Sequence, residues 1–331
     1  MNAEHAWQTL QDSGWLQDVD ISGVDWSGRD LAGCRLHHVR LDRACLSGAV
    51  LDGADLQGVS LQQARLDGVQ ARGCRLLEVD LRQADLRDSQ WSSAAFSRCL
   101  GEQANFGRAH LERADMDACH LNGADFTQAN LTRWTALACG LAGAIFSATC
   151  LRQAYLREAG LEGQRFPGCD LTMALFDRAR LIGADFSHAL LDRTSFLGAQ
   201  LQEACLRGVR GRYTTLIGAR LAQADLTEAR FEMADASDAD FSGARAPRVQ
   251  WRQSALLRSQ WQDADLSEAE LLHCDLAHAD LSRANCRAAD FSGSNLHALR
   301  QADTHWDSAR LTHTRPTDPS LARAEAWQPL P

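Results

Sequence analysis

The sequence contains no lysine: all 34 of its basic residues are arginine, and only two residues are tyrosine. It also lacks an apolar run of about 18 residues, the length that crosses a bilayer as a helix. No charged start followed by an apolar stretch marks a secretory leader. Neither a membrane span nor an export signal is expected, and the expected location is the cytoplasm. Aromatic residues make up 7% of the 331 residues, against 45% hydrophobic and 23% charged. That balance supports a buried core and excludes wholesale disorder. Eleven cysteines without an export signal read as reduced thiols and not as a disulfide framework. The formal net charge of −9 is well mixed along the chain, so it favours neither nucleic acid nor a membrane surface. The missing lysine fits a GC-rich genome better than selection against lysine chemistry.

What the chain has is one period. Of the 59 positions reached by stepping five residues from Ile21 to Leu311, 44 are Leu or Phe, and all eleven phenylalanines fall in this phase. Two residues before each such centre, 55 of the 59 sites hold Ala, Cys, Val, Ser or Thr, the exceptions being Arg29, Trp134, Gln164 and Leu299. Asp or Asn often precedes the centre, as in Ala54-Asp55-Leu56 and Ala184-Asp185-Phe186. A period of five matches neither the strand repeat of two nor the helical 3.6. The chain must instead turn a corner every five residues and point one large and one small side chain inward each time. Glycine two residues after many centres (Gly28, Gly48, Gly68, Gly123, Gly143, Gly183, Gly218) suits a turn position with positive φ.

The A-(D/N)-(L/F)-x-x pattern resembles the pentapeptide repeat proteins, over about residues 16–311 and without a frame shift. The resemblance implies an all-β solenoid: a right-handed quadrilateral β-helix with four repeats per coil, hence about 15 coils and a rod on the order of 70 Å long. Residues twenty apart then stack on one face. Open solenoid ends need covering, and the expected organisation is a helical cap over 1–15, the β-helix over 16–313, and a C-terminal helix and tail over 314–331. Residues 3–12, ending at Ser13-Gly14, have the pattern of a short amphipathic helix. Asp318-Pro319 supplies an N-cap and first-turn proline for a helix from Leu321 to Trp327. Gln328 to Pro331 is expected to be loose.

Phase modulo twenty assigns neighbours. Phe106, Phe126, Phe146, Phe166 and Phe186 should stack as one column, and Leu121 through Leu221 as another. Cys99, Cys119 and Cys139 align too, but parallel in-register thiols do not converge on an ion, so they read as small packers. Gly101 and Gly211 leave centres empty, Ala136, Ala236 and Ala246 underfill theirs, and Trp26, Trp91, Trp251, Trp261 and Trp306 overfill theirs. A local distortion is expected between Arg245 and Trp261. Arg29, inward in the first coil, should reach an end cap or a carboxylate.

No insertion between Ile21 and Leu311 provides a cleft, and no catalytic constellation emerges. His110 and His120 fall on opposite faces, His273 and His278 on adjacent ones, and His37-His38 at a turn. The expectation is a protein without enzymatic activity, cofactor or metal. Three faces each carry three more acids than arginines, while the fourth, that of Leu31, carries two more arginines than acids. On that fourth face Arg193, Arg210, Arg212, Arg230 and Arg252 cluster with Tyr213. The cluster is either a docking patch for an acidic partner or a salt-bridge ladder, since Asp192, Arg212, Glu232 and Arg252 alternate in sign. On the face of Leu36, Tyr155, Leu175, Leu197 and Ile217 are expected to form an exposed apolar strip, a partner contact or scattered surface residues. The function expected is a protein–protein interaction scaffold or adaptor, of the kind found beside bacterial type VI-like secretion systems. The alternative that the resemblance implies is a DNA mimic that binds DNA gyrase or topoisomerase and protects it from quinolones. The partner is expected to be another protein, with a homodimer through the C-terminal helix or an end cap as a further option. Direct nucleic-acid or membrane binding is not expected.

Overall fold

The backbone at each corner decides the architecture. In the computed structural model, which describes residues 2–327, the N–H of Val24 donates to the carbonyl of Ile21 at 3.2 Å. Between them Gly23 has φ 74°, the positive φ at the third position that defines a type II turn. The seven glycines anticipated at this position have φ between 61° and 69°. Other residue types accept the same conformation, Arg43 at φ 58° and Gln63 at φ 57° among them. A side chain there costs about 1–2 kcal/mol, and neighbouring coils hold it in place: the N–H of Arg43 donates to the carbonyl of Gln62 at 2.8 Å. The tail from Gln328 to Pro331 lies outside the described residues.

Two units are distinguished, one ending at Ala174 and one beginning at Leu175. The first opens with α1 (Ala3–Ser13), N-capped by Asn2, whose Oδ1 accepts from the His5 N–H at 2.8 Å. Gly14 closes it in the left-handed region at φ 68°. Seven strands follow: β1 (Trp15–Gln17), β2 (Arg35–His37), β3 (Asp55–Gln57), β4 (Arg75–Leu77), β5 (Ala95–Ser97), β6 (Asp115–Asp117) and β7 (Thr135–Leu137). They form a parallel sheet in chain order, with Leu16 opposite Leu36 and Leu36 opposite Leu56. The other three sides carry parallel bridges of the same twenty-residue offset, such as Asp20 to Arg40, Asp25 to Cys45 and Asp30 to Val50. The second unit repeats the plan. Its sheet comprises β8 (Arg210–Arg212), β9 (Arg230–Glu232), β10 (Gln250–Arg252) and β11 (Glu270–Leu272). Its remaining sides are bridged at Leu175 to Ser195, Arg180 to Gln200 and Asp185 to Cys205. A last helix, α2 (Pro319–Glu325), is N-capped by Asp318. The architecture is a parallel β-solenoid of about 13 turns, slightly fewer than expected.

The large inward positions stack by ring plane. Phe106, Phe126 and Phe146 follow one another at 5.0 and 5.3 Å with interplanar angles of 7° and 4°, and Phe166 continues at 5.3 Å. In the second unit Phe231 stacks on Trp251 at 4.3 Å and Phe241 on Trp261 at 4.0 Å. Each such pair adds about 0.5–1.5 kcal/mol beyond its buried area. The small inward positions explain why Cys, Ser and Thr alternate with Ala. Their side chains donate to the carbonyl of a centre one coil back: Thr149 to Phe126 at 2.8 Å, Thr214 to Leu191 at 2.8 Å, Cys169 to Phe146 at 2.9 Å. The Cys99, Cys119 and Cys139 thiols point to Leu76, Phe96 and Met116 in the same way. Burial pushes the thiols of Cys34, Cys74, Cys274 and Cys286 up to about 12. These cysteines are packing groups.

Several expected irregularities are absorbed. A Cβ on Gly211 would lie 2.2 Å from Thr214 Oγ1, and one on Gly101 would lie 2.9 Å from Leu121 Cδ2. Neither centre is hollow, because a neighbour has moved in. Trp134 and Ala136 exchange roles, the indole filling the space between Phe126 and Phe146 at 5.7 and 6.3 Å. Between Arg245 and Trp261 there is no break: Arg245 pairs with Asp265 and Gln250 with Glu270 in register. The indoles fit by stacking on the phenylalanines one coil back, Trp251 on Phe231 and Trp261 on Phe241, and Ser259 Oγ accepts the Trp261 N–H at 2.9 Å. Arg29 meets the N-terminal helix as anticipated, its guanidinium 4.3 Å from the Trp7 ring centroid and 4.0 Å from Glu4. The C-terminal helix differs from an end cap. α1 buries Ala6 and Leu10, whereas α2 buries none of its residues, and Leu311 stays 45% exposed on the final coil.

Gly218 separates corner strain from packing, since its φ is 61° and nothing lies within 4 Å of an added Cβ. Gly218→Ala should destabilise the protein by about 1 kcal/mol, read as a lowered urea midpoint with an unchanged m-value.

Candidate functional site

Outward side chains flank each centre, so on the sheet β8–β11 they form two columns. Arg210, Arg230, Gln250 and Glu270 precede the centres, while Arg212, Glu232 and Arg252 follow them, with Asp192 one coil below. Between the columns lies a cavity of about 330 Å³ lined by Asp192, Arg210, Gly211, Arg212, Arg230, Phe231, Glu232, Gln250 and Arg252. The five arginines of the expected cluster and Tyr213 are all exposed.

Both readings of this cluster are partly realised. The ladder engages Arg212, which lies 3.6 Å from Glu232 and donates its backbone N–H to Asp192 Oδ1 at 2.8 Å. Arg252 turns to the other column and donates to Glu270 at 2.8 Å. Exposed pairs of this sort contribute about 0–1 kcal/mol each. Arg193 and Arg212 flank the Tyr213 ring at 5.8 and 5.3 Å, a cation–π arrangement. Arg210 and Arg230 are in-register partners, and neither guanidinium reaches a carboxylate or other acceptor among the described residues. At corner positions elsewhere in the unit, an acid lies one coil before an arginine. Asp238 receives two bonds from Arg258, at 2.6 and 2.7 Å, which hold its carboxyl below the usual carboxylate range. The Arg248 guanidinium holds Glu228 down in the same manner.

The expected apolar strip is mostly not open surface. Leu197 is 41% exposed, but Tyr155, Leu175 and Ile217 are half-buried. The cause is the ladder itself: a side chain just before or after a centre is overlapped by its neighbours one coil above and below. Tyr155 belongs to the first unit and the other three to the second.

One cluster was missed from the sequence. His297 is buried at 4% exposure, and its Nε2 lies 3.1 Å from Glu325 of α2; His278 Nε2 lies 3.3 Å from the same carboxylate. The three are of metal-ligand type and close together. However, the backbone N–H of Asp318 donates to His297 Nδ1 at 3.1 Å. The neutral ring therefore carries its proton on Nε2 and gives it to Glu325. A metal ligand would need that nitrogen's lone pair and an acceptor behind Nδ1. The cluster is a hydrogen-bonded clip that holds α2 against the second unit. The bond from His297, followed by the field of His278, holds Glu325 below the usual carboxylate range. The only sequence signal was two histidines nineteen apart, which share a face on consecutive coils; Glu325 lies outside the repeat.

In-register ladders on four sides, paired inward positions and positive-φ corners define a parallel β-solenoid built from five-residue units. The family model for pentapeptide repeats matches residues 16–53, 49–88, 102–133, 174–210, 212–244 and 262–297, in eight copies. The chain belongs to the pentapeptide repeat family, whose members form right-handed β-helices. No curated protein matches it. Similar solved structures include HetL of the cyanobacterium Nostoc sp. strain PCC 7120, a pentapeptide repeat protein involved in heterocyst differentiation regulation. It is 20% identical over 95% of this chain and 96% of its own, with a TM-score of 0.22. Full-length QnrB1, a plasmid-mediated fluoroquinolone resistance protein, is 15% identical over 94% and 96%, with a TM-score of 0.23. A pentapeptide repeat protein of the Arabidopsis thaliana thylakoid lumen is 28% identical over 34% of this chain and 67% of its own, with a TM-score of 0.15. Superpositions at such scores carry no argument, and the family rests on the repeat match. No helix among the described residues is long and apolar enough to cross a membrane.

Because the clip is one carboxylate accepting from two rings, Glu325→Ala should free α2 and speed tryptic cleavage after Arg323 severalfold, with the solenoid's far-UV dichroism unchanged. Glu325 has its lowered value in the folded state only. Its contribution is therefore present above the ordinary carboxylate range and is lost as the pH falls through that lowered value.

Proposed function

We propose that this protein is a non-catalytic scaffold that docks an acidic partner protein on the arginine face of its second unit. The observation that carries this reading is the pair Arg210 and Arg230, adjacent cations left without acceptors beside a cavity, on a surface where most arginines are tied to an acid. An adaptor role in a bacterial secretion system, loading effectors or spike proteins, is a finer form of the same reading. Leu197 and Tyr213, both exposed on this unit, would add apolar area to the contact.

The gyrase-protecting DNA mimic is the competing reading. A mimic needs uninterrupted negative charge, because phosphate attraction dominates the interface it imitates. Here arginines one coil away neutralise many acids, as in Arg98 with Glu78 at 2.9 Å, Arg108 with Asp88 at 2.6 Å and Arg283 with Asp263 at 2.7 Å. A homodimer through the C-terminal end is supported by the exposed Leu311, Leu321 and Trp327, and light scattering reports it directly.

Capture experiments from the native cytosol should yield partners that Arg210→Glu/Arg230→Glu loses and that elute as salt rises. Partners retained by the double variant would contradict docking at this face. Protection of gyrase from a quinolone in a supercoiling assay at micromolar protein would favour the mimic instead.

A further inference from the structure

Resting on the docking reading above, we propose that the groove across β8 and β9 is a phosphate-monoester site, filled by a phosphorylated side chain of the partner protein. The parallel register makes Arg210 and Arg230 direct ladder neighbours, which sets their Cα atoms about 4.8 Å apart. Like charges directly opposite one another destabilise a sheet. The nearby acids are bonded elsewhere: Glu232 faces Arg212 at 3.6 Å, Glu270 takes Arg252 at 2.8 Å, and Glu228, though it lies in the field of Arg230, is held by Arg248 at 2.8 Å. The fold leaves two cations side by side at the mouth of a cavity of about 330 Å³.

Charge selects the ligand class. The lining holds four arginines and two carboxylates, and although Glu270 just outside it offsets Arg252, Arg210 and Arg230 remain two adjacent cations without ion-pair partners. A phosphate monoester carries about −1.5 to −2 at pH 7, whereas a carboxylate side chain carries −1. Guanidinium forks match phosphate oxygens in paired hydrogen bonds, and two forks on adjacent rungs address two oxygens of one group. The cavity takes a single modified side chain, and Asp192 and Glu232 on its border repel a continuous polyanion such as a nucleic-acid strand. Tyr213, held between Arg193 and Arg212, offers a flat surface beside the groove for the flanking peptide.

The test is calorimetric titration of the full chain with four probes: a short phosphoserine peptide, its unphosphorylated form, its glutamate form and inorganic phosphate. The phosphopeptide should bind at least tenfold more tightly than the other three. Arg210→Ala/Arg230→Ala should weaken it at least tenfold at an unchanged melting temperature, and Arg258→Ala, whose partner is Asp238, should not. Equal binding of the glutamate peptide, or indifference to the double variant, overturns the phosphate assignment. Inorganic phosphate binding as tightly as the phosphopeptide overturns a partner-borne group. If cytosolic partners are lost in Arg210→Glu/Arg230→Glu but the phosphopeptide never binds, this inference fails while the docking reading stands. Phosphopeptide binding with all partners retained fails the docking reading and, with it, the partner as the source of the phosphate.

Discussion

Everything in this molecule depends on one constraint: each side of a coil must pair in register with the side twenty residues away, so that its hydrogen bonds join residues nineteen and twenty-one apart. Leu41 donates its N–H to the Ser60 carbonyl at 2.7 Å and Ser60 donates back to Val39 at 3.0 Å, and the same pairing recurs on all four sides. A coil has no independent core, so its interior exists only as a stack with its neighbours. That explains the restricted alphabet inside. A large residue at the centre and a small one two before it fill the cross-section. When one departs from the rule, a partner compensates, as Trp134 does for Ala136 and Thr214 for Gly211. The ladder also tolerates corners that would be unfavourable alone, holding arginines and glutamines at positive φ.

The same constraint governs the surface. In-register stacking puts residues twenty apart within contact, so charge alternation along a column becomes a series of ion pairs, as between Asp238 and Arg258. Where the sequence places two arginines in succession, nothing in the backbone can separate them. Arg210 and Arg230 are such a pair, and the cavity opens beside them. The docking proposed at this face would therefore need no loop or cleft, only a column whose charges do not alternate.

The sequence was informative in proportion to how periodic each feature was. The fold, the phenylalanine column from Phe106 to Phe166, the positive-φ corners and the position of the arginine cluster all follow from phase alone. Two kinds of feature did not. The half-burial of Tyr155, Leu175 and Ile217 depends on how neighbouring side chains lean across the ladder, which phase does not encode. The clip between His278, His297 and Glu325 depends on the path of a single segment after the last repeat, for which no second copy exists to compare. Arg29 was legible because its oddity, a charge at an inward position near an end, admitted few solutions.

The in-register ladder is tested most directly by paired spin labels on exposed corners of the second unit. With cysteine-attached labels at Glu203 and Gln223, which occupy consecutive coils on one side, strong dipolar broadening is predicted. Labels at Glu203 and Tyr213, ten residues apart and on opposite sides, should show none. Equal broadening in the two pairs, or broadening in the second alone, would contradict the twenty-residue ladder and the account built on it.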